Sequence, residues 1–268
     1  YVAGARNLYQ GVDPDTFDGF LLILTANGEL VDFRTYDEGE REYFNSLIPC
    51  ADGNYFFGGA TNSFSGQPEG YLVKVDSLGN KLWSKNYPAF AEPYFSSFSN
   101  NKLIVSGYKQ SALGRTVLGM VDTSGALIWT KNYSFSGSPA LYRSICTRKK
   151  DIVAVGIATI AGEGNSGFIL NVDSTGEPNW HRRYNYNEDT DFFYGVIEAN
   201  DGSFLVNGAA SDTDGTGQNL WLVKLDSMGC LEPNCWEVGI EDAKANELGV
   251  SVFPNPAAEW INFKLPVN

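Results

Sequence analysis

With 268 residues, 43 % hydrophobic and 14 % aromatic, the chain carries enough apolar material for a sizeable core, which excludes a disordered tail. Its 32 acids against 19 bases leave a formal charge of −13, an expectation against nucleic-acid binding, which needs clustered Lys and Arg. The longest apolar run, Phe20 to Leu24, is far short of a membrane span.

The chain opens on Tyr1-Val2-Ala3-Gly4-Ala5, already inside a repeated unit, so the expectation is an N-terminus cut from a longer protein. The first turn of that unit is Thr25-Ala26-Asn27-Gly28, followed by Tyr36. The second unit gives the clearest pattern. Tyr43 to Cys50 predicts a first strand, Ala51-Asp52-Gly53 a turn, and Asn54 to Ala60 a second strand. A Gly/Ser/Pro-rich loop, Thr61 to Glu69, leads to a third strand from Tyr71 to Asp76. Ser77-Leu78-Gly79 then turns into a fourth, Lys81 to Tyr87.

The same phrase returns downstream. Val121-Asp122-Thr123-Ser124-Gly125 is followed by Trp129 and Tyr133, and Val172-Asp173-Ser174-Thr175-Gly176 by Trp180 and Tyr184. A weaker copy is Leu225-Asp226-Ser227-Met228-Gly229. The turn glycines lie 51, 46, 51 and 53 residues apart, a period that marks a repeat architecture. Asp76, Asp122, Asp173 and Asp226 open four of these turns, and a glycine able to take positive φ closes each. In the fourth strand, alternation puts Trp83, Lys85 and Tyr87 on one face, as it does Trp129, Lys131 and Tyr133, and Trp180, Arg182 and Tyr184. A cation between two aromatic rings suits packing against a neighbouring unit. A second recurring glycine (Gly4, Gly59, Gly107, Gly156, Gly208) falls inside the second strand, where it marks a bulge or a close backbone approach.

Four-stranded antiparallel units at this period predict an all-β chain, a β-propeller with five blades visible wholly or partly over residues 1–236. The first blade lacks its innermost strand and the last has a modified outer strand, with Trp236 a candidate for its Trp slot; the ring is open to further blades N-terminal to Tyr1. The Asp-x-x-Gly-x-x-x-Trp phrase resembles the tryptophan-docking repeats of quinoprotein-like propellers. It is closer to the Asp/Gly/Trp/Tyr propeller repeats of exported Bacteroidetes proteins. The resemblance covers residues 1 to 236 and implies a fold without implying an activity.

Cys230 and Cys235 bracket Leu-Glu-Pro-Asn, a short loop suited to a disulfide in an exported protein. Cys50 and Cys146 lie two repeats apart and read as buried free thiols. Residues 237–249 read as an acidic linker, and 250–268 as a separate terminal piece. There, Phe253-Pro254-Asn255-Pro256-Ala257 precedes an alternating strand and resembles the opening of the type IX secretion C-terminal sorting domain. That resemblance implies the type IX machinery as a partner and a secreted or outer-membrane-surface location. The sorting domain is longer than what remains here, so a first strand without its partners is expected.

The one histidine, His181, follows Trp180 in the slot of Ser84 and Thr130, a scaffold position. A Ser-His-Asp triad is not expected on that ground. The loops between second and third strands and between blades gather acids and aromatics on one face. Of these, Glu42, Tyr43, Glu92, Tyr94, Asp189, Asp191 and Phe192 are the candidate ligand-binding residues, with a solvated rim as the alternative. Asp212, Asp214 and Thr216 space oxygen ligands at alternate positions, which suits Ca²⁺; an ordinary Asp/Gly loop is the other reading, and no further cofactor is expected. The leading expectation is a secreted or surface binding or scaffold module for an extracellular glycan or protein. The alternative is a carbohydrate-active enzyme using two mouth carboxylates as acid and base. A quinone-dependent dehydrogenase is suggested by the scaffold phrase alone.

Overall fold

The computed structural model describes residues 2–6, 18–99, 101–109, 115–137, 139–160, 162–186, 190–211, 217–231, 235, 251–253 and 262–264. They divide into two units, 1–231 and 232–268.

The larger unit is a β-propeller built from five antiparallel sheets. The first holds β1 (Val2–Arg6), β2 (Asp18–Leu24) and β3 (Leu30–Tyr36). The second holds β4 (Glu42–Pro49), β5 (Tyr55–Thr61), β6 (Glu69–Val75) and β7 (Lys81–Tyr87). The third runs from β8 (Ala91–Ser99) through β9 (Lys102–Lys109) and β10 (Arg115–Asp122) to β11 (Leu127–Tyr133). The fourth comprises β12 (Ala140–Cys146), β13 (Ile152–Ile160), β14 (Gly164–Val172) and β15 (Pro178–Tyr184). The fifth has β16 (Phe192–Glu198), β17 (Phe204–Ser211) and β18 (Gln218–Leu225). Among the described residues the first sheet has no innermost strand, in line with expectation; the segment expected to supply the fifth sheet's outer strand, with Trp236, lies outside them.

The turn before each outer strand is built as its sequence dictates. Asp76 Oδ1 accepts from the backbone N–H groups of Leu78 and Asn80, both at 2.8 Å, while Gly79 closes the turn at φ +80°. Asp122, Asp173 and Asp226 repeat the arrangement. Donors around the Asp76, Asp122 and Asp173 carboxylates, led by the side chains of Asn80, Ser124 and Thr175, hold them below the usual carboxylate range.

The closing glycine is also where one blade grips the next. A Cβ on Gly125 would lie 2.8 Å from Trp83 Cη2, and one on Gly176 would lie 3.0 Å from Trp129 Cη2. Trp180 covers Gly229 in the same way. Beside each ring, a tyrosine hydroxyl donates to the same glycine's carbonyl: Tyr87 to Gly125 at 2.9 Å and Tyr133 to Gly176 at 2.7 Å, with Tyr184 donating to Gly229. The intervening cation completes the ladder, with Lys85 5.6 Å above Trp83 and Arg182 5.8 Å above Trp180. In the first blade Asp32 stands in the Trp slot and pairs with Arg34 at 2.9 Å, yet Tyr36 still donates to Gly79 at 2.7 Å.

The strand glycines serve a different contact. Each inner strand bulges, between Phe44 and Ser46, Ala91 and Tyr94, Leu141 and Arg143, or Phe193 and Gly195. The bulge drives a carbonyl of the inner strand against the second strand. A Cβ on Gly59, Gly156 or Gly208 would sit 1.8–1.9 Å from the carbonyl oxygen of Tyr43, Ala140 or Phe192. Gly107 departs from the rule, since its Cβ would lie 3.3 Å from Pro93 Cα.

His181 is a scaffold residue, its ring 4.4 Å from Phe135 and 6.0 Å from Phe168. Cys230 and Cys235 are disulfide-bonded, and Cys50 and Cys146 are free. In the smaller unit, β19 (Ser251–Phe253) pairs antiparallel with β20 (Asn262–Lys264). A lone first strand was expected here; Asn262–Lys264 supplies it with a partner within the same segment.

Candidate functional site

The inner strands β8, β12 and β16 start at the end of the propeller where the loops between blades arrive. There the sister sequences differ from blade to blade. Tyr94, Arg143 and Gly195 occupy equivalent ladder positions, paired with Ser106, Val155 and Asn207; Ser46, paired with Gly58, holds that place in the second blade. Tyr142 and Tyr194 are the extra residues of their bulges, so they lie outside the normal pleat.

These residues form one connected aromatic group. The rings of Tyr94 and Tyr142 are 6.4 Å apart, Tyr142 and Tyr194 5.8 Å, and Tyr194 and Phe192 4.7 Å. The Arg143 guanidinium stacks 4.6 Å above the Tyr94 ring. Arg143 also reaches the second blade, donating to the Asn45 carbonyl at 3.3 Å, and Asn45 Nδ2 donates to Pro93 O at 3.0 Å. Tyr194 is exposed and Tyr94 and Tyr142 are half-buried. Burial raises the phenol pKa of Tyr94 and Tyr142 above the ordinary value, so these rings present neutral hydroxyls over the physiological range.

Glu92 borders the group and is held at φ +47°, a left-handed conformation rare for a non-glycine residue. Its carboxylate accepts from the Tyr108 hydroxyl at 3.1 Å. Burial, reinforced by Glu92, pushes the Tyr108 phenol up to about 12. Tyr43 is half-buried nearby, and burial raises its phenol too, with Glu92 next in effect. Glu92, Tyr43, Tyr94 and Phe192 are thus gathered at one mouth. The sequence reading did not name Arg143 or Tyr108. Comparing the blades position by position would have found Arg143, because it stands where Ser46 and Gly195 do.

The two candidate acids that precede inner strands are placed differently. Glu42 is fully buried, and its carboxylate accepts from Thr61 Oγ1 at 2.7 Å, from the Glu38 N–H at 3.2 Å and from Ser63 Oγ. Asp191, also fully buried, accepts from the N–H groups of Tyr186 and Ser211. Both carboxylates tie the loop entering a blade to the loop between its second and third strands. Asp18 and Asp37 stand beside Glu42, with one oxygen of each within 4.8 Å of the others. Burial, then the Asp37 charge, raises the Asp18 carboxyl. Three carboxylates this close repel one another unless a proton or a cation is shared among them. Asp189, Asp212, Asp214 and Thr216 lie outside the described residues, as do Pro254, Asn255 and Pro256 of the terminal motif.

No family model matches the chain, and no curated protein does. Solved structures resemble it in fold. A protein of unknown function from Bacteroides caccae aligns over 80 % of this chain and 74 % of its own, at 15 % identity and TM-score 0.51. Drosophila Plexin A, solved in complex with Semaphorin 1b, aligns over 84 % of this chain and 52 % of its own, at 10 % identity and TM-score 0.51. The β-propeller domain of the trilobed protease from Pyrococcus furiosus aligns over 88 % and 65 %, at 16 % identity and TM-score 0.41. At such identities the likeness shows the fold alone.

Proposed function

We propose that this propeller is a secreted or cell-surface binding module whose ligand, an extracellular glycan or protein, docks at the tyrosine-lined mouth. The observation that carries the reading is the connected Tyr94–Tyr142–Tyr194 group with Arg143 stacked on it. Tyrosines offer a flat apolar face and a neutral hydroxyl at low entropic cost, the combination that serves both sugar rings and protein hot spots. The group lies where the blades differ, away from the Trp and Tyr positions that repeat. Strain at Glu92 fits a site that is held in a fixed shape for a ligand.

Export by the type IX route is part of the proposal. It rests on Phe253-Pro254-Asn255-Pro256 following an acidic linker, and on the disulfide, which fits an oxidising compartment. The test has two arms. A glycan array and a pull-down from surface extracts, run with the ring intact, should each be compared with a Tyr94→Ala/Tyr142→Ala variant; blanks in both with the native chain would reject the binding role. Exchanging Phe253, Pro254, Asn255 and Pro256 for alanine in the whole protein should hold it in the periplasm, and undiminished arrival of that variant outside the cell would reject the route.

A further inference from the structure

At the opposite ends of the inner strands, the turns between first and second strands meet the turns between third and fourth. In two blades this junction is closed by an ion pair. Lys74 reaches Asp52 at 2.7 Å in the second blade, and Lys224 reaches Asp201 at 3.0 Å in the fifth. In the fourth blade both partners are changed. Asn171 takes the lysine's place, paired with Trp180 as Lys74 is with Trp83, and Lys149 takes the aspartate's place. The turn glycine is replaced as well: Lys150 sits at φ +69°, where Gly53 and Gly202 have +81° and +83°. A side chain in that conformation costs on the order of 1 kcal/mol.

Asn171 and Lys149 line a cleft of about 560 Å³ between the fourth and fifth blades, within the range of small-molecule sites. Trp180 and Phe204, with rings 6.2 Å apart, give it an apolar wall. Its polar groups include Asn171, Asn179, Asp151 and Lys149. Asn179 Nδ2 donates to Asn171 Oδ1 at 2.7 Å, which leaves the Asn171 amide hydrogens and the Asn179 carbonyl to face the cleft for a ligand. Among the described residues no hydrogen bond engages the Asp151 carboxylate. The other acids are occupied: Glu198 pairs with Arg148 at 3.2 Å, and Asp201 with Lys224.

We infer that this cleft is a second binding site, separate from the mouth, for a neutral sugar unit. Adjacent amide donor and acceptor groups match vicinal hydroxyls, and a carboxylate accepts from a third hydroxyl. The aromatic wall receives the apolar face of the ring. One free carboxylate opposes an anion and one free ammonium opposes a cation, so the unoccupied groups favour a ligand without net charge. In the third blade the corresponding residues are Met120 and Ile128, so the hydrogen-bonding pair belongs to the fourth blade and is not required by the fold.

The test is saturation-transfer difference NMR on the whole chain with cellobiose, maltose, mannobiose and N,N′-diacetylchitobiose, alongside spermidine and inorganic phosphate. At least one disaccharide should bind, and the two ions should not. The double variant Asn171→Met/Asn179→Ile, which installs the third blade's residues, should weaken that binding by about tenfold or more with the melting temperature retained. Asp151→Asn, a change of nearly equal size, should weaken it by a similar factor. Silence from every disaccharide, binding of spermidine or phosphate in their place, or sugar binding undiminished in both variants would each overturn the inference.

Discussion

The Tyr87 hydroxyl donates to the Gly125 carbonyl, 38 residues downstream and one blade away, at 2.9 Å. The same bond joins Tyr36 to Gly79, Tyr133 to Gly176 and Tyr184 to Gly229, so a single hydrogen bond is stamped across every junction in the described propeller. Replacing Tyr87 by Phe removes the donor and leaves the buried carbonyl without it. The expected cost is about 1 kcal/mol, read as a lower denaturant midpoint with an unchanged slope.

Those phenols also predict how the fold responds to alkali. Burial pushes Tyr36 and Tyr184 up to about 12 and raises Tyr87 and Tyr133 further. The native state therefore holds these protons above the pH at which an unfolded tyrosine, with a pKa near 10, releases them. Between those two values the native state binds more protons than the unfolded one, so stability present below pH ~10 is lost as pH rises toward 12. Phenolate absorbance should show these groups still protonated at pH ~11 and ionising only with the loss of the near-ultraviolet circular dichroism of the fold.

The strand glycines separate into two kinds. Alanine at Gly59 or Gly156 would press a methyl into a carbonyl oxygen, and the backbone must move to relieve it. A loss of about 3 kcal/mol or more is expected for each. Alanine at Gly107 meets a tight contact with Pro93 Cα and should cost less, about 1–2 kcal/mol. Thermal unfolding of the three variants checks the order.

Half-buried Trp129 packs on Gly176 between the third and fourth blades and donates its Nε1–H to the Ser174 carbonyl at 3.3 Å. Because the ring is only half-buried, its truncation to alanine should cost less than that of a fully buried aromatic, about 2–3 kcal/mol. The first junction already lacks a Trp, with Asp32 in its place beside Arg34. Asp32→Asn, which only weakens that exposed pair, should change stability by under ~1 kcal/mol.

Thiol titration in denaturant should find two reactive groups in the oxidised chain, Cys50 and Cys146, and four after reduction. In the native chain Cys50 should react slowly, since burial pushes its thiol up to about 11.

Much of this was legible in the sequence because it repeats. The Asp-to-Gly turns, the outer-strand ladder, the glycine at the bulge and the scaffold place of His181 all follow from spacing and alternation. What the sequence could not supply was the partner of each repeated residue. Nothing in Tyr87 alone says that its hydroxyl reaches the next blade's turn glycine. The mouth was harder still. Glu42 and Glu92 look alike in a loop, but one is buried under three donors and the other borders the tyrosines. Burial of an acid depends on which loops fold over it, and that is a non-local outcome. Arg143 and the Asn171–Asn179 pair escaped notice because each is ordinary in isolation and unusual only against its sister positions.

The central claim is that the repeated residues hold the blades together while recognition rests on residues that differ between them. It is tested most directly by applying the native chain and the Tyr94→Ala/Tyr142→Ala variant to one array of extracellular glycans and surface proteins, with melting temperatures measured in parallel. The account predicts that ligands bound by the native chain are lost by the variant while the fold still melts cooperatively. Ligands retained at full strength by a variant lacking both mouth rings would contradict it.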